Sequence, residues 1–112
     1  MISKELLSEV LGRDVDKVKG IEANTLIYGC AHYDGWYDEI NIYELAHKCK
    51  ELALSKNYEI ESSLFIDGSK KRIGYSQVLR EESPMLQKTA DTEPEAIFKA
   101  CEWIMEQTKC GS

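Results

Sequence analysis

The sequence predicts one α+β domain: an antiparallel sheet of three to five strands packed with two long helices and a short N-terminal helix, as an α/β/α sandwich. Three observations predict it. Two long segments, 42–55 and 93–108, repeat apolar residues at helical spacing and begin with capping residues. Strand-like runs lie between them, separated by short polar turns. The chain has 112 residues, the length of one hydrophobic core, and neither a linker nor an internal repeat divides it, so residues 1–112 read as a single domain.

The elements follow in order. Ser3 caps a first short helix carrying Leu6, Leu7, Val10 and Leu11, and Gly12 stops it. Residues 13–23 show no decisive period and receive no element. A β-rich run from Asn24 to Tyr33 then leads into Asp34-Gly35 and a second run from Trp36 to Ile40. Asp-Gly accepts the positive φ angles of a type I′ turn, so a two-residue hairpin spans 24–40. In that register Tyr33 opposes Trp36, His32 opposes Tyr37, Ala31 opposes Asp38 and Cys30 opposes Glu39. Period-2 alternation then puts Cys30, His32, Tyr37 and Glu39 on one face.

Asn41 and Glu44 form a capping box for the helix at 42–55, whose stripe is Ile42, Leu45, Ala46, Cys49, Leu52 and Ala53. Residues 58–66 and 72–80 read as strands joined by the polar turn 67–71. Ile60, Leu64 and Ile66 share one face of the first, and Ile73, Tyr75 and Leu79 share one face of the second. Glu81 to Pro84 break the pattern before a further short strand at 85–90. Thr92 and Glu95 then cap the last helix, Pro94 sits in its first turn, and Gly111 follows as a C-cap. Its stripe of Ile97, Ala100, Cys101 and Ile104 is widened by Phe98, Trp103 and Met105 beyond one packed face, which predicts a homodimer through those three residues.

Composition narrows the function. Twenty acidic against 14 basic residues leave a net charge of −6, the wrong sign for a generic nucleic-acid binder and suited to basic protein surfaces. No run approaches the roughly 18 apolar residues of a membrane span, and the N-terminus lacks a secretory core, so a cytoplasmic protein is expected. The four cysteines include no CxxC pair and read as free thiols of a reducing compartment. Cys49 and Cys101 fall on apolar stripes and read as packing residues, while His47 projects to the opposite side of its helix. Gly12, Gly20, Gly29 and Gly35 are isolated and match no phosphate-binding spacing.

Cys30, His32 and Glu39 join a nucleophile, a base and a carboxylate, or three metal ligands, on the predicted hairpin face. Against that chemistry, same-face neighbours along a strand lie roughly 7 Å apart, and no oxyanion motif accompanies them. Tyr33, Trp36 and Tyr37 cluster at the hairpin tip together with Asp34 and Asp38. These five residues are the predicted partner-binding surface, the competing role of the aromatics being to hold the hairpin together.

The segment from Ile40 to Glu51, the strand runs after it and the stretch from Ala90 to Cys101 together cover about residues 40–107. They resemble the small phage and prophage proteins described as having an ABA-sandwich domain. Ala90, Asp91, Thr92, Ala96, Ala100 and Cys101 carry the likeness as capping and packing positions. The resemblance implies a phage or mobile-element accessory protein in the bacterial host cytoplasm. The expected function is non-enzymatic binding of a protein partner such as a host defence or regulatory factor, with no cofactor, metal, nucleic acid or membrane. The alternatives are an enzyme or metal-binding protein centred on Cys30, His32 and Glu39, and a self-assembling phage component.

Overall fold

Ser3 begins the fold as read: its Oγ accepts the Leu6 N–H at 3.1 Å, and Gly12 closes the helix in the left-handed region at φ +65°. In the computed structural model, which describes residues 2–31 and 36–110, this helix is α1 (Lys4–Leu11). It is followed by β1 (Val15–Glu22), β2 (Thr25–Cys30), β3 (Tyr37–Asn41) and α2 (Ile42–Ser55). Then come β4 (Glu59–Ile66), β5 (Arg72–Arg80), β6 (Ser83–Ala90) and α3 (Glu93–Cys110). The predicted α+β class and antiparallel pairing are present. The strands divide into two three-stranded sheets, β1-β2-β3 and β4-β5-β6, because α2 intervenes between β3 and β4.

The caps of the long helices act as their sequences require. Asn41 Oδ1 accepts the N–H groups of Tyr43 and Glu44 at 2.9 and 3.4 Å, and Thr92 Oγ1 accepts that of Glu95 at 3.3 Å. Gly111 lies outside the described residues.

Two readings need correction. Residues 13–23, given no element, contain β1. Its apolar alternation is interrupted by register shifts between Val15 and Lys17 and between Val18 and Gly20, which blur a period-2 signal. The hairpin register is also displaced: Tyr28 pairs with Asp38 and Ile27 with Glu39, where Ala31 and Cys30 were expected. Glu39 thus moves by three positions along β2, and an odd displacement exchanges the faces. β2 ends at Cys30 and β3 begins at Tyr37. Asp34-Gly35 itself lies outside the described residues. Left-handed pairs instead occupy the tight connections at Ala23-Asn24 (φ 48° and 64°) and Glu81-Glu82 (φ 53° and 66°), which join Glu22 to Thr25 and Arg80 to Ser83.

One core unites the elements, drawing Leu6 and Leu7 from α1, Leu26 and Tyr28 from β2, Leu45 and Cys49 from α2, Val78 from β5, and Phe98 and Ile104 from α3. The molecule measures 44 × 39 × 18 Å. Since packed layers lie roughly 10 Å apart, the short dimension holds one helix layer on one sheet layer. α3 rests on the face of the second sheet that carries Gly74, Ser76 and Val78. The Ser76 hydroxyl donates to the Ala96 carbonyl at 2.6 Å, and a Cβ at Gly74 would overlap the Thr92 backbone. Ile73, Tyr75 and Leu79 occupy the other face, where Tyr75 meets the Phe65 ring edge-on at 6.4 Å.

The width of α3's apolar surface is largely used inside the chain. Phe98, expected at a dimer interface, is 2 % exposed. Trp103 and Met105 are half-buried against the same core, and the Trp103 ring stands edge-on to Tyr58 at 6.0 Å.

Candidate functional site

The sheet β1-β2-β3 positions an aromatic surface, flanked by two lysines, beside the predicted tip. Gly29 pairs with Tyr37 across β2 and β3, and a Cβ at Gly29 would lie 3.3 Å from Lys17 Cε. A bare backbone here therefore gives the Lys17 stem room to cross towards the tyrosine ring. Lys17 and Lys19 both reach this side of β1, Lys19 at the register shift between Val18 and Gly20. Their amines stand 5.3 and 4.8 Å from the Tyr37 ring centroid, within reach of the ring's negative quadrupole. Tyr37 is 45 % exposed and Trp36 is 76 % exposed. Two large aromatic residues at the head of a strand thus remain open to solvent, one of them held by two cations.

The opposite face of β3 is tied to the protein itself. Asp38 accepts from Arg13 Nη1 at 2.7 Å and from the Glu39 N–H at 2.8 Å. The Glu39 amide first, and then Arg13, hold the Asp38 carboxyl below its ordinary value. The hydrogen bond to Asp38 likewise raises Arg13. Burial pushes the Tyr28 hydroxyl up, and the nearby Asp38 charge adds to the rise. Asp38 therefore braces β3 against the loop after α1, although both members of the ion pair stay about half exposed. Tyr33 and Asp34, the remaining predicted partner residues, lie outside the described residues with His32.

The Cys30, His32 and Glu39 grouping is not assembled as predicted. Cys30 is half-buried and packed against the core. Glu39 pairs with Ile27, three residues from Cys30 and hence on the other side of the strand. Among the described residues no group of three or more His, Cys, Asp or Glu side chains is placed to hold a metal ion. Cys49 and Cys101 are both fully buried free thiols, and Cys101 Sγ donates to the Cys49 carbonyl at 3.6 Å. Hydrogen bonding to Cys101, then burial, raises Cys49 far above the ordinary thiol value. His47 is exposed and lies 3.5 Å from Glu51. It borders an open groove of about 160 Å³ with Tyr43, Lys50, Glu93 and Pro94.

The sequence reading named Trp36 and Tyr37 and gave no place in the site to Lys17, Lys19 or Gly29, which the structure sets beside Tyr37. The Lys-Val-Lys alternation at 17–19 was the available signal, and it carried no weight while residues 13–23 had no element. No family model, curated protein or solved structure matches the chain.

Proposed function

We propose that this chain is a non-enzymatic protein-binding module whose contact surface is built on Trp36 and Tyr37. The observation that carries the proposal is the exposed Trp36, 76 % accessible, next to a tyrosine ring faced by the amines of Lys17 and Lys19. Exposed tryptophan and tyrosine supply large contact area at little cost in side-chain freedom, and they dominate the energetics of protein interfaces. Asp16, whose carboxylate lies 3.6 Å from the Cβ position at Gly29, and Glu39, two residues from Tyr37 along β3, share this face with the two lysines, so the aromatic pair sits among charges of both signs. The phage accessory role and a host defence or regulatory partner rest on the resemblance of residues 40–107.

The test is affinity capture from a bacterial host lysate with wild-type and Trp36→Ala baits, followed by titration of the captured protein. Trp36→Ala is expected to weaken binding by about 2 kcal/mol or more while leaving the melting temperature nearly unchanged. Intact binding with a lowered melting temperature would make the aromatic pair a brace of the sheet and overturn the proposal.

A further inference from the structure

The two sheets have four edge strands, β1, β3, β4 and β6, and an open edge is a template for pairing with another chain. Three of them carry features that discourage this. β1 bears Lys17 and Lys19 and two register shifts. β3 is five residues long and includes Asp38 and Glu39. β6 contains Pro84 and Lys88 and meets β5 through a register shift. β4 differs: it pairs with β5 over eight consecutive positions without a shift. Its second half, 62–66, has neither charge nor proline. Leu64, Phe65 and Ile66 there are 53 %, 42 % and 66 % exposed.

We infer that β4 is a self-association edge, pairing antiparallel with β4 of a second copy about a two-fold axis through Ser62. A two-fold axis normal to the sheet keeps each face continuous, so only residues of the same parity oppose one another. With Ser62 at the centre, Ile60 faces the partner's Leu64, Glu61 faces the partner's Ser63, and Glu59 faces the partner's Phe65. Each glutamate of β4 then meets an uncharged residue, and Glu93 of α3, which accepts from the Ser62 hydroxyl, lies beside the axis in each copy. Moving the centre to Glu61 sets Glu61 against its own copy, and moving it to Ser63 sets Glu59 against Asp67. Like charges directly opposite are destabilising, so charge selects the Ser62 register. The product is a continuous six-stranded sheet with both helix layers on one side, and it leaves Trp36 and Tyr37 on the other sheet of each copy. A contact of one strand pair falls below the standard interface size, which places the dimer in the micromolar range or weaker.

Sedimentation velocity on the full chain, from about 1 to 500 μM, tests this. A monomer–dimer equilibrium is expected. Leu64→Lys enters a two-fold interface twice and is expected to weaken dimerisation by at least roughly tenfold, with unchanged melting temperature. In a Cys110→Ser background, Ser62→Cys is expected to form an intermolecular disulfide under mild oxidation, whereas Thr89→Cys on β6 is not. A wild-type chain that stays monomeric throughout, or a Leu64→Lys dimer as tight as wild type, overturns the inference. Should Leu64→Lys fail to fold, the two cysteine substitutions decide: cross-linking of the Ser62→Cys chain no faster than that of the Thr89→Cys chain overturns it equally.

Discussion

At Gly74 the sheet and α3 approach so closely that a Cβ would overlap the Thr92 carbonyl and the Glu93 amide. Gly74→Ala has to push the first turn of α3 away from β5, and the neighbour that must yield is backbone. A loss of about 3 kcal/mol is expected, at the upper end for overpacking, read from the midpoint of urea denaturation. At Cys101, fully buried with its thiol directed at the Cys49 carbonyl, replacement by serine buries a more polar group. Cys101→Ser should lower stability by roughly 1 to 3 kcal/mol, and an unchanged midpoint would contradict the packing role. Asp38 supplies a pH dependence. Its folded carboxyl titrates below the ordinary 3.8, so its contacts stabilise the protein above about pH 4, and that contribution is lost as pH falls through the folded value. Because both partners are about half exposed, screening holds the effect to at most ~1 kcal/mol. Acid denaturation of Asp38→Asn beside wild type should show the two stabilities converging at low pH.

Among the elements, the tight turns depart furthest from what their sequences advertise. Glu81-Glu82 holds two left-handed residues where asparagine and glycine are favoured, and each long L-residue there is strained by roughly 1 kcal/mol. Glu81→Asn with Glu82→Gly should therefore raise stability by about 1 kcal/mol without altering the β5–β6 register, as thermal melts and amide exchange would show. Asp34-Gly35, which has the favoured composition, lies outside the described residues, while the strands on either side pair Gly29 with Tyr37 and so set a register three positions from the one expected. Helices were more legible because the caps at Ser3, Asn41 and Thr92 act within one turn of the residues they terminate, so their signal is complete in a short stretch of chain.

At the scale of the molecule, the two sheets share one core through α1 and α2. The N-terminus is tied to α3 by the Ser3 N–H donating to Glu102 at 2.7 Å. A single cooperative transition is expected, with circular dichroism and tryptophan fluorescence coincident in urea. Separate transitions would mean that the sheets fold independently around smaller cores. Trp103 belongs to this shared core, so Trp103→Ala should cost about 2 kcal/mol in stability, less than for a fully buried tryptophan because its ring is only half covered.

The sequence by itself determined the α+β class, the three helices and their starts, the strands after α2, and the packing role of Cys49 and Cys101. Each of these follows from caps or periodicity within a dozen or so residues. It also singled out Trp36 and Tyr37. What it did not determine was which face of a strand meets the core. Alternation along β5 separates Ile73, Tyr75 and Leu79 from Gly74, Ser76 and Val78, and hydrophobicity alone does not pick the second set. Only the tertiary structure puts that set against the core. α3 brings Ala96 and Ala100, both fully buried, so close to the sheet that glycine and serine fit beneath it and tyrosine does not. The same dependence on distant partners governs the hairpin register, where the pairing of β2 and β3 decides that Cys30 and Glu39 part company and that Lys17 meets Tyr37.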